Sequence, residues 1–320
     1  MKVFDQRITD RAALYHADCV EVLAGLPSNS VDLSVYSPPF SSLYIYSESV
    51  RDMGNVANDE EFFKAYAHVV REKYRVTRPG RLTAIHVKDL VYYQNSSERG
   101  DAGLRPFSDM CTAAHVAAGW TFHCRVTIWR DPVLERSKTN AHGLLLKTRR
   151  ADASFCRVGM PEYLMVYRKW AGDGDESLVR PVAVPDHPVE VWQQEASPVW
   201  TPDPIWNYAP GQSGKGDLDL PATDVLNVKV VRDDESEKHL CPMPLNITRR
   251  AVRLWSLPGD TVLSPFMGIG SEGVVAISER RRFIGAELKE AYFRQAVRHI
   301  GDAEDATALG DLFQGAEAAE

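Results

Sequence analysis

The sequence predicts an α/β fold: a doubly wound, mostly parallel sheet carrying an irregular inserted region. Three observations lead there. Short apolar runs alternate with segments of helical period along most of the chain, as in strand–helix–strand units. Two of those runs end in turns of unusual composition, Ser37-Pro38-Pro39-Phe40 and Ser264-Pro265-Phe266-Met267-Gly268-Ile269-Gly270-Ser271. Between about Ala171 and Asp234 the alternation gives way to prolines (Pro181, Pro185, Pro188, Pro198, Pro202, Pro204, Pro210, Pro221) and tryptophans, which read as irregular structure.

In order, Leu14-Tyr15-His16 reads as a short strand. Cys19 to Leu26 has helical spacing, stopped by Gly25 and Pro27. Val31 to Tyr36 alternates apolar and polar residues and ends at Pro38-Pro39. Helix is expected from Glu60 to Tyr74, with Phe62, Phe63, Tyr66, Val69 and Val70 on one face, until Arg78-Pro79-Gly80 breaks it. Strands follow at Leu82–Val87, Thr121–Trp129 and Tyr163–Tyr167, with a basic stretch of no clear period between the last two. The chain closes with a helix over Asn246–Trp255, a strand over Thr261–Phe266 and a helix over Ser271–Arg280. A strand over Phe283–Glu287 and a helix over Lys289–Ile300 complete the order.

The 320 residues, 44% hydrophobic and 25% charged, suit one α/β domain with an insertion. No run approaches the ~18 apolar residues of a membrane span, and the first ten residues lack the apolar core of a signal peptide, so a cytoplasmic protein without membrane association is expected. Five scattered cysteines without a CxxC pair indicate neither a zinc site nor a disulfide framework. The net charge of −7 is unevenly spread. Residues 301–320 hold Asp302, Glu304, Asp305, Asp311, Glu317 and Glu320 with no Lys or Arg, and read as a solvated or frayed acidic tail. Arg125, Arg130, Arg136, Lys138, Lys147, Arg149 and Arg150 stand against only Asp131 and Glu135, a basic surface able to neutralise phosphates. An ordinary charged face is the alternative.

Glycines at a strand-to-helix turn let a ligand approach the free N–H groups of the helix start, and Glu287, about twenty residues on, ends the next strand. A carboxylate there can accept from both ribose hydroxyls of an adenosine-containing cofactor. Alone, the turn fits a tight structural bend as well. In the other segment, two prolines fix the backbone and leave carbonyls without N–H groups beside the Ser37 hydroxyl. That pair of acceptors suits an amino group with two protons to donate, and the Phe40 ring can stack on a planar base. A plain Ser-Pro-Pro loop is the bland reading.

Together the two segments resemble the β-type DNA amino-methyltransferases, which modify N4 of cytosine or N6 of adenine. Their catalytic motif is (Asp/Asn/Ser)-Pro-Pro-(Tyr/Phe) and their cofactor motif Phe-x-Gly-x-Gly, in the permuted order found here. The resemblance runs from Leu14 to Tyr167 and from His239 to Ile300. It implies a Rossmann-like methyltransferase fold with S-adenosylmethionine as cofactor and no metal. It implies catalytic roles for Ser37, Pro38, Pro39 and Phe40, and cofactor contacts from Asp18, Cys19, His239, Pro265, Phe266, Gly268, Gly270, Ser271 and Glu287. Residues 1–170 would be the catalytic half, 171–238 the target-recognition insertion, 239–300 the cofactor half and 301–320 the tail. DNA would be the partner, contacted by Arg130, Lys138, Lys147, Arg149 and Arg150, and a homodimer is the family habit. Ser264 stands where the family has Asp, which removes a carboxylate from near the cofactor's ammonium group.

The implied reaction is an in-line methyl transfer to an exocyclic nitrogen whose protons are held by Ser37 and the Pro38 carbonyl. The base would be flipped out of the duplex, with Tyr44 and Tyr46 near the same pocket. Ser in the first motif position goes more often with cytosine N4 than adenine N6, so cytosine is the expectation and adenine the alternative. Trp192, Trp200 and Trp206 are expected to pack rather than read bases. Rival readings are a methyltransferase for RNA or protein amides, a non-catalytic nucleic-acid-binding subunit of the same fold, and a nicotinamide oxidoreductase, which would need its fingerprint near the start of the fold.

Overall fold

A computed structural model of the protein describes residues 3–40, 52–56, 58–97, 99–139, 144–172, 188–201, 224–226 and 242–317. Five strands run parallel through its centre: β2 (Ala12–His16), β11 (Arg282–Glu287), β10 (Thr261–Ser264), β3 (Val31–Tyr36) and β4 (Thr77–Val87), in that spatial order. One edge is extended by β1 (Asp5–Ile8), antiparallel to β2. The other is extended by β8 (Glu162–Arg168), β7 (Thr121–Ile128) and β9 (Val199–Trp200). Helices α1 (Cys19–Gly25), α2 (Asp59–Val76), α3 (Phe107–Ala117), α7 (Leu245–Trp255), α8 (Ser271–Ser278) and α9 (Glu290–Glu317) make the covering layers, and the core splits into two clusters of buried side chains. Among the described residues no helix is long and apolar enough to cross a membrane.

The expected doubly wound, mostly parallel sheet is therefore present, and the elements read from the sequence coincide with β2, α1, β3, α2, β7, β8, α7, β10, α8 and β11. Arg78-Pro79-Gly80 ends the helix as expected, but the chain passes directly into β4. Gly80 adopts φ +74, where glycine is unpenalised, and the pairing of β3 with β4 shifts register there. The basic stretch between β7 and β8 holds two short helices, α4 (Pro132–Thr139) and α5 (Leu146–Ala151), and a two-stranded ribbon of β5 (Leu90–Tyr92) and β6 (Gly103–Arg105) follows β4.

Three expectations are corrected. Within the segment read as irregular, residues 189–200 form α6 (Val189–Glu195) and β9, and Trp200 is wholly buried with its indole N–H donating to the Glu195 carbonyl at 2.9 Å. Trp192, expected to pack, is instead half exposed, while Trp206 lies outside the described residues. The acidic tail is not frayed through 317: α9 continues to Glu317, Ala303 enters the core, and Glu304 accepts from Arg7 at 2.6 Å. Ala303 and the Glu304–Arg7 pair dock this part of the helix on the core and on β1, while Asp302 and Asp305 remain exposed.

The central pairing is fixed from beneath. Strand β3 is buried along its whole length, polar residues included. Asp32, 1% exposed, accepts the Thr261 N–H of β10 at 3.0 Å on one oxygen and the Arg78 guanidinium of β4 at 2.8 Å on the other. One carboxylate thus joins three adjacent strands. Asp32→Ala should lower stability by about 1–3 kcal/mol, the cost of an orphaned buried donor, read as a shifted urea midpoint; Asp32→Asn should recover part of it. A midpoint unchanged in both would remove Asp32 from this role.

Candidate active site

The C-terminal ends of five parallel strands lie on one edge of the sheet. From β10 the chain winds through α8 to β11 on one side; from β3 it winds through α2 to β4 on the other. The reversal makes the β10–β3 junction the switch point of the sheet, the place where open α/β sheets leave a crevice for ligands. Residues 37–40 leave the end of β3 and residues 265–270 leave the end of β10, so the structure sets both chemistry-bearing segments there. The rings of Tyr36 and Phe266, last residue of one strand and second of the other turn, meet at 5.7 Å.

On the β10 side, Gly270 caps α8 at φ +95, and a Cβ on it would come within 3.2 Å of Ala296. Gly268, φ +51, is different: a Cβ there would meet nothing within 4 Å among the described residues. Glu287 bridges two loops, accepting the Gly268 N–H on Oε2 at 2.9 Å and the Lys289 N–H on Oε1 at 2.8 Å. Asp18 follows β2 and caps α1 by accepting the Val20 N–H at 2.8 Å, while the Ala17 N–H donates to the Glu287 carbonyl at 3.1 Å. Cys19 is buried, and burial with the nearby Asp18 and Glu287 carboxylates pushes its thiol up, so it stays uncharged. His239 lies outside the described residues, as do Tyr44 and Tyr46.

The sequence reading passed over Glu272. It sits in the first turn of α8, 3% exposed, where burial raises its carboxyl to about 8, with Glu287 adding repulsion. Burial likewise lifts Glu287 to about 7, with Asp52 contributing. An acid after a helix N-cap usually reads as a solvated first-turn charge, so only its burial distinguishes it. The Ser264 and Ser271 hydroxyls nearby in the chain are buried with no hydrogen-bond partner among the described residues. A glycine turn, two unsatisfied hydroxyls and acids half-held in neutral form fit a polar ligand carrying positive charge. S-adenosylmethionine, with ribose hydroxyls, an ammonium and a sulfonium, matches that donor set.

On the β3 side, Ser37 Oγ donates to the His86 carbonyl at the end of β4, at 3.0 Å. Its only proton is thereby used, and its lone pairs remain for an incoming donor. Pro38 is buried, and the Phe40 ring rests on Phe107 of α3 at 6.0 Å. Behind the motif, the Tyr36 and Tyr66 hydroxyls share a hydrogen bond at 2.6 Å. Wholly buried Lys73 meets the Tyr36 hydroxyl and donates to Thr83 Oγ1 at 3.0 Å. Burial holds the Lys73 amine well below its ordinary range, and the amine braces the last residue of β3.

The basic residues divide. Lys147, Arg149 and Arg150 are exposed on α5, in an insertion that leaves β7 and enters β8 at the same edge as Ser37. The side chain of Lys138 lies outside the described residues. The guanidinium of Arg130, expected to contact DNA, is mostly buried and pairs with Glu162 at 2.5 Å. A charge already neutralised out of water is a poor phosphate ligand. His86 and Glu162 were missed because nothing local marks them; the clue was that β4 ends beside β3, which only the pairing reveals.

The glycine turn after β10 and the Ser37 turn after β3 suit transfer of a group to an amino nitrogen. Residues 31–298 match the DNA methylase family of N6 and N4 enzymes, and the chain belongs to that family. Its enzymes are S-adenosylmethionine-dependent DNA methyltransferases acting on exocyclic amino groups. The chain is 22% identical to the type II methyltransferase M.BglI of Bacillus subtilis, over 90% of this chain and 85% of that one. It is 37% identical to the DNA adenine methyltransferase YhdJ of Escherichia coli K12, over 90% of this chain and 82% of that one. In fold it is similar to the PvuII cytosine-N4 DNA methyltransferase (TM-score 0.59, 14% identity, 96% of each chain). It is also similar to TTHA0409 of Thermus thermophilus complexed with S-adenosyl-L-methionine (TM-score 0.62, 21% identity, 92% of this chain and 96% of that one).

A pH test follows from Glu272. A carboxyl whose folded pKa is raised, from 4.5 to about 8, favours folding below 4.5 and loses that contribution as pH rises through 8. The protein without cofactor should therefore lose stability over that window, and Glu272→Gln should flatten the slope in urea titrations at stepped pH. Parallel curves for the two proteins would show that Glu272 is ionised throughout.

Proposed function

We propose that this enzyme methylates N4 of cytosine in DNA, with Ser37 and the Pro38 carbonyl accepting the two amino protons of a flipped base. The observation carrying the reading is the Ser37 hydrogen bond to the His86 carbonyl, which leaves the hydroxyl oxygen only acceptor capacity toward a substrate. The exocyclic nitrogen is a poor nucleophile because its lone pair is delocalised into the ring. Two acceptors bending its protons out of plane restore that lone pair and aim it toward the β10 turn, where alignment supplies much of the acceleration. Bound S-adenosylmethionine would supply an electrophilic methyl group and leave as the neutral thioether, and the cationic methylated nitrogen would then lose one proton to water. Glu287 and the Gly268 backbone would hold its ribose side, Asp18 its adenine side, and the buried carboxylates near α8 its positive charge. Phe40, braced by Phe107, offers a ring face to the extruded base. Lys147, Arg149 and Arg150 would take phosphates, with residues 171–238 contributing to target choice. Assembly as a homodimer is part of this reading, supported by the family resemblance.

Adenine N6 is the second reading. A hydroxyl accepts from either amino group, and the 37% identity with an enzyme named for adenine favours it.

Incubation with S-adenosylmethionine and unmethylated DNA, followed by digestion and mass spectrometry of nucleosides, decides the base. N4-methylcytosine is expected, and Ser37→Ala should slow its formation by roughly 10²–10³-fold, the scale for removing one positioned hydrogen-bonding group. N6-methyladenine with the same mutant effect would keep the mechanism and change the base. Full activity of Ser37→Ala would overturn the assignment.

A further inference from the structure

The insertion between β7 and β8 is closed at its neck by charge. Arg130 lies just past the end of β7, and Glu162 opens β8. Glu162 Oε2 accepts from the Arg130 guanidinium at 2.5 Å and meets His86 Nε2 at 2.9 Å. The three side chains are 17%, 17% and 12% exposed for Arg130, Glu162 and His86, so water does little to weaken the pairing. Burial alone would raise the Glu162 carboxyl, but the hydrogen bonds and charges of His86 and Arg130 outweigh it and hold the group well below the carboxylate range. A second pair, Lys88 with Glu135 of α4, ties the same insertion to the residues just after β4. The backbone carbonyl of His86 is, in turn, the acceptor of the Ser37 hydroxyl.

We propose that Arg130, Glu162 and His86 form a clasp that couples DNA engagement by residues 129–161 to the orientation of the Ser37 hydroxyl. The three are positioning residues, and the idea rests on reading Ser37 as the acceptor for the base amino group. The insertion carries the exposed cations of α5 beyond the clasp, so pull exerted on it by a bound duplex passes through Arg130 and Glu162 to the end of β4. With the His86 carbonyl in place, Ser37 presents lone pairs to the substrate. With that carbonyl displaced, the hydroxyl is free to rotate and point its proton at the amino group, the wrong sign for catalysis. Serine needs such control where a carboxylate in the same position would not, because a carboxylate has no proton to misplace.

The test compares wild type with Glu162→Gln, Arg130→Met and Arg130→Lys, all full-length. Single-turnover methylation at saturating DNA and S-adenosylmethionine should fall between about tenfold and about 10²-fold in Glu162→Gln and Arg130→Met, the range expected for slight misplacement of a reacting group. Arg130→Lys should recover part of the rate. Affinity for S-adenosylmethionine by calorimetry should be unchanged in all three. Hydrogen–deuterium exchange across residues 31–40 should rise in the slow variants, a readout that needs no turnover. Wild-type rates with wild-type exchange would overturn the clasp, as would an Arg130→Met defect confined to DNA affinity. Should Arg130→Met not fold, the Glu162→Gln and Arg130→Lys pair carries the same comparison. A wild-type protein inactive on every nucleic acid would overturn the Ser37 reading; the exchange comparison would still decide the clasp, raised exchange supporting it and unchanged exchange refuting it.

Discussion

The site depends on β10 lying beside β3. These strands come from segments 229 residues apart, counted from Asp32 to Thr261, and their pairing is short: Val262 opposite Leu33 and Leu263 opposite Ser34. Such a contact carries a large loop-closure cost, and two residue pairs contribute little against it by themselves. The Asp32 carboxylate strengthens it from below, and the Tyr36–Phe266 ring contact does so from above. With the strands held at both ends, the turn bearing Ser37 and the turn bearing Gly268 have one available arrangement: side by side over the same crevice. The permuted order of the motifs has no effect on this geometry, since what matters is which strands are neighbours.

Around the crevice the protein keeps costly groups in reserve. Glu272 and Glu287 are buried where their ionised forms are disfavoured, and Ser264 and Ser271 hold hydroxyls without partners among the described residues. A core optimised only for stability would have replaced them with apolar residues. Their retention is understandable if a cationic, hydroxyl-rich ligand satisfies them, because the ligand then recovers free energy that the empty fold forgoes. The same arrangement appears on the β3 side, where burial disfavours the charged forms of Lys73, Tyr36 and Tyr66, which together build a polar brace.

Much of this was legible in the sequence. The parallel strands announced themselves as short apolar runs, and the two that end in prolines or glycines, β3 and β10, carry the two motifs at their ends. Other parts were hidden for identifiable reasons. Helix α3 has no side-chain cap at Pro106 and buries Ser108 and His115 alongside Phe107 and Cys111, so its periodicity is blurred. Strand β9 is two residues long and sits among prolines, and only its pairing with β7 recruits Trp200 into the core. Arg130 looked like its basic neighbours because charge is visible in sequence and burial is not. His86 meets Ser37 through a backbone carbonyl, which any residue type possesses, and its ring reaches Glu162 only because β4 and β8 pair, so neither contact left a local signal.

The central claim is that a single crevice, formed by the ends of β3 and β10, holds the methyl donor against the Ser37 turn. Photolabelling with methyl-tritiated S-adenosylmethionine, followed by peptide mapping, addresses it most directly. Label in peptides spanning residues 31–40 or 261–272, competed away by unlabelled cofactor, is the result this account requires. Competable label confined to segments away from both strand ends would contradict it.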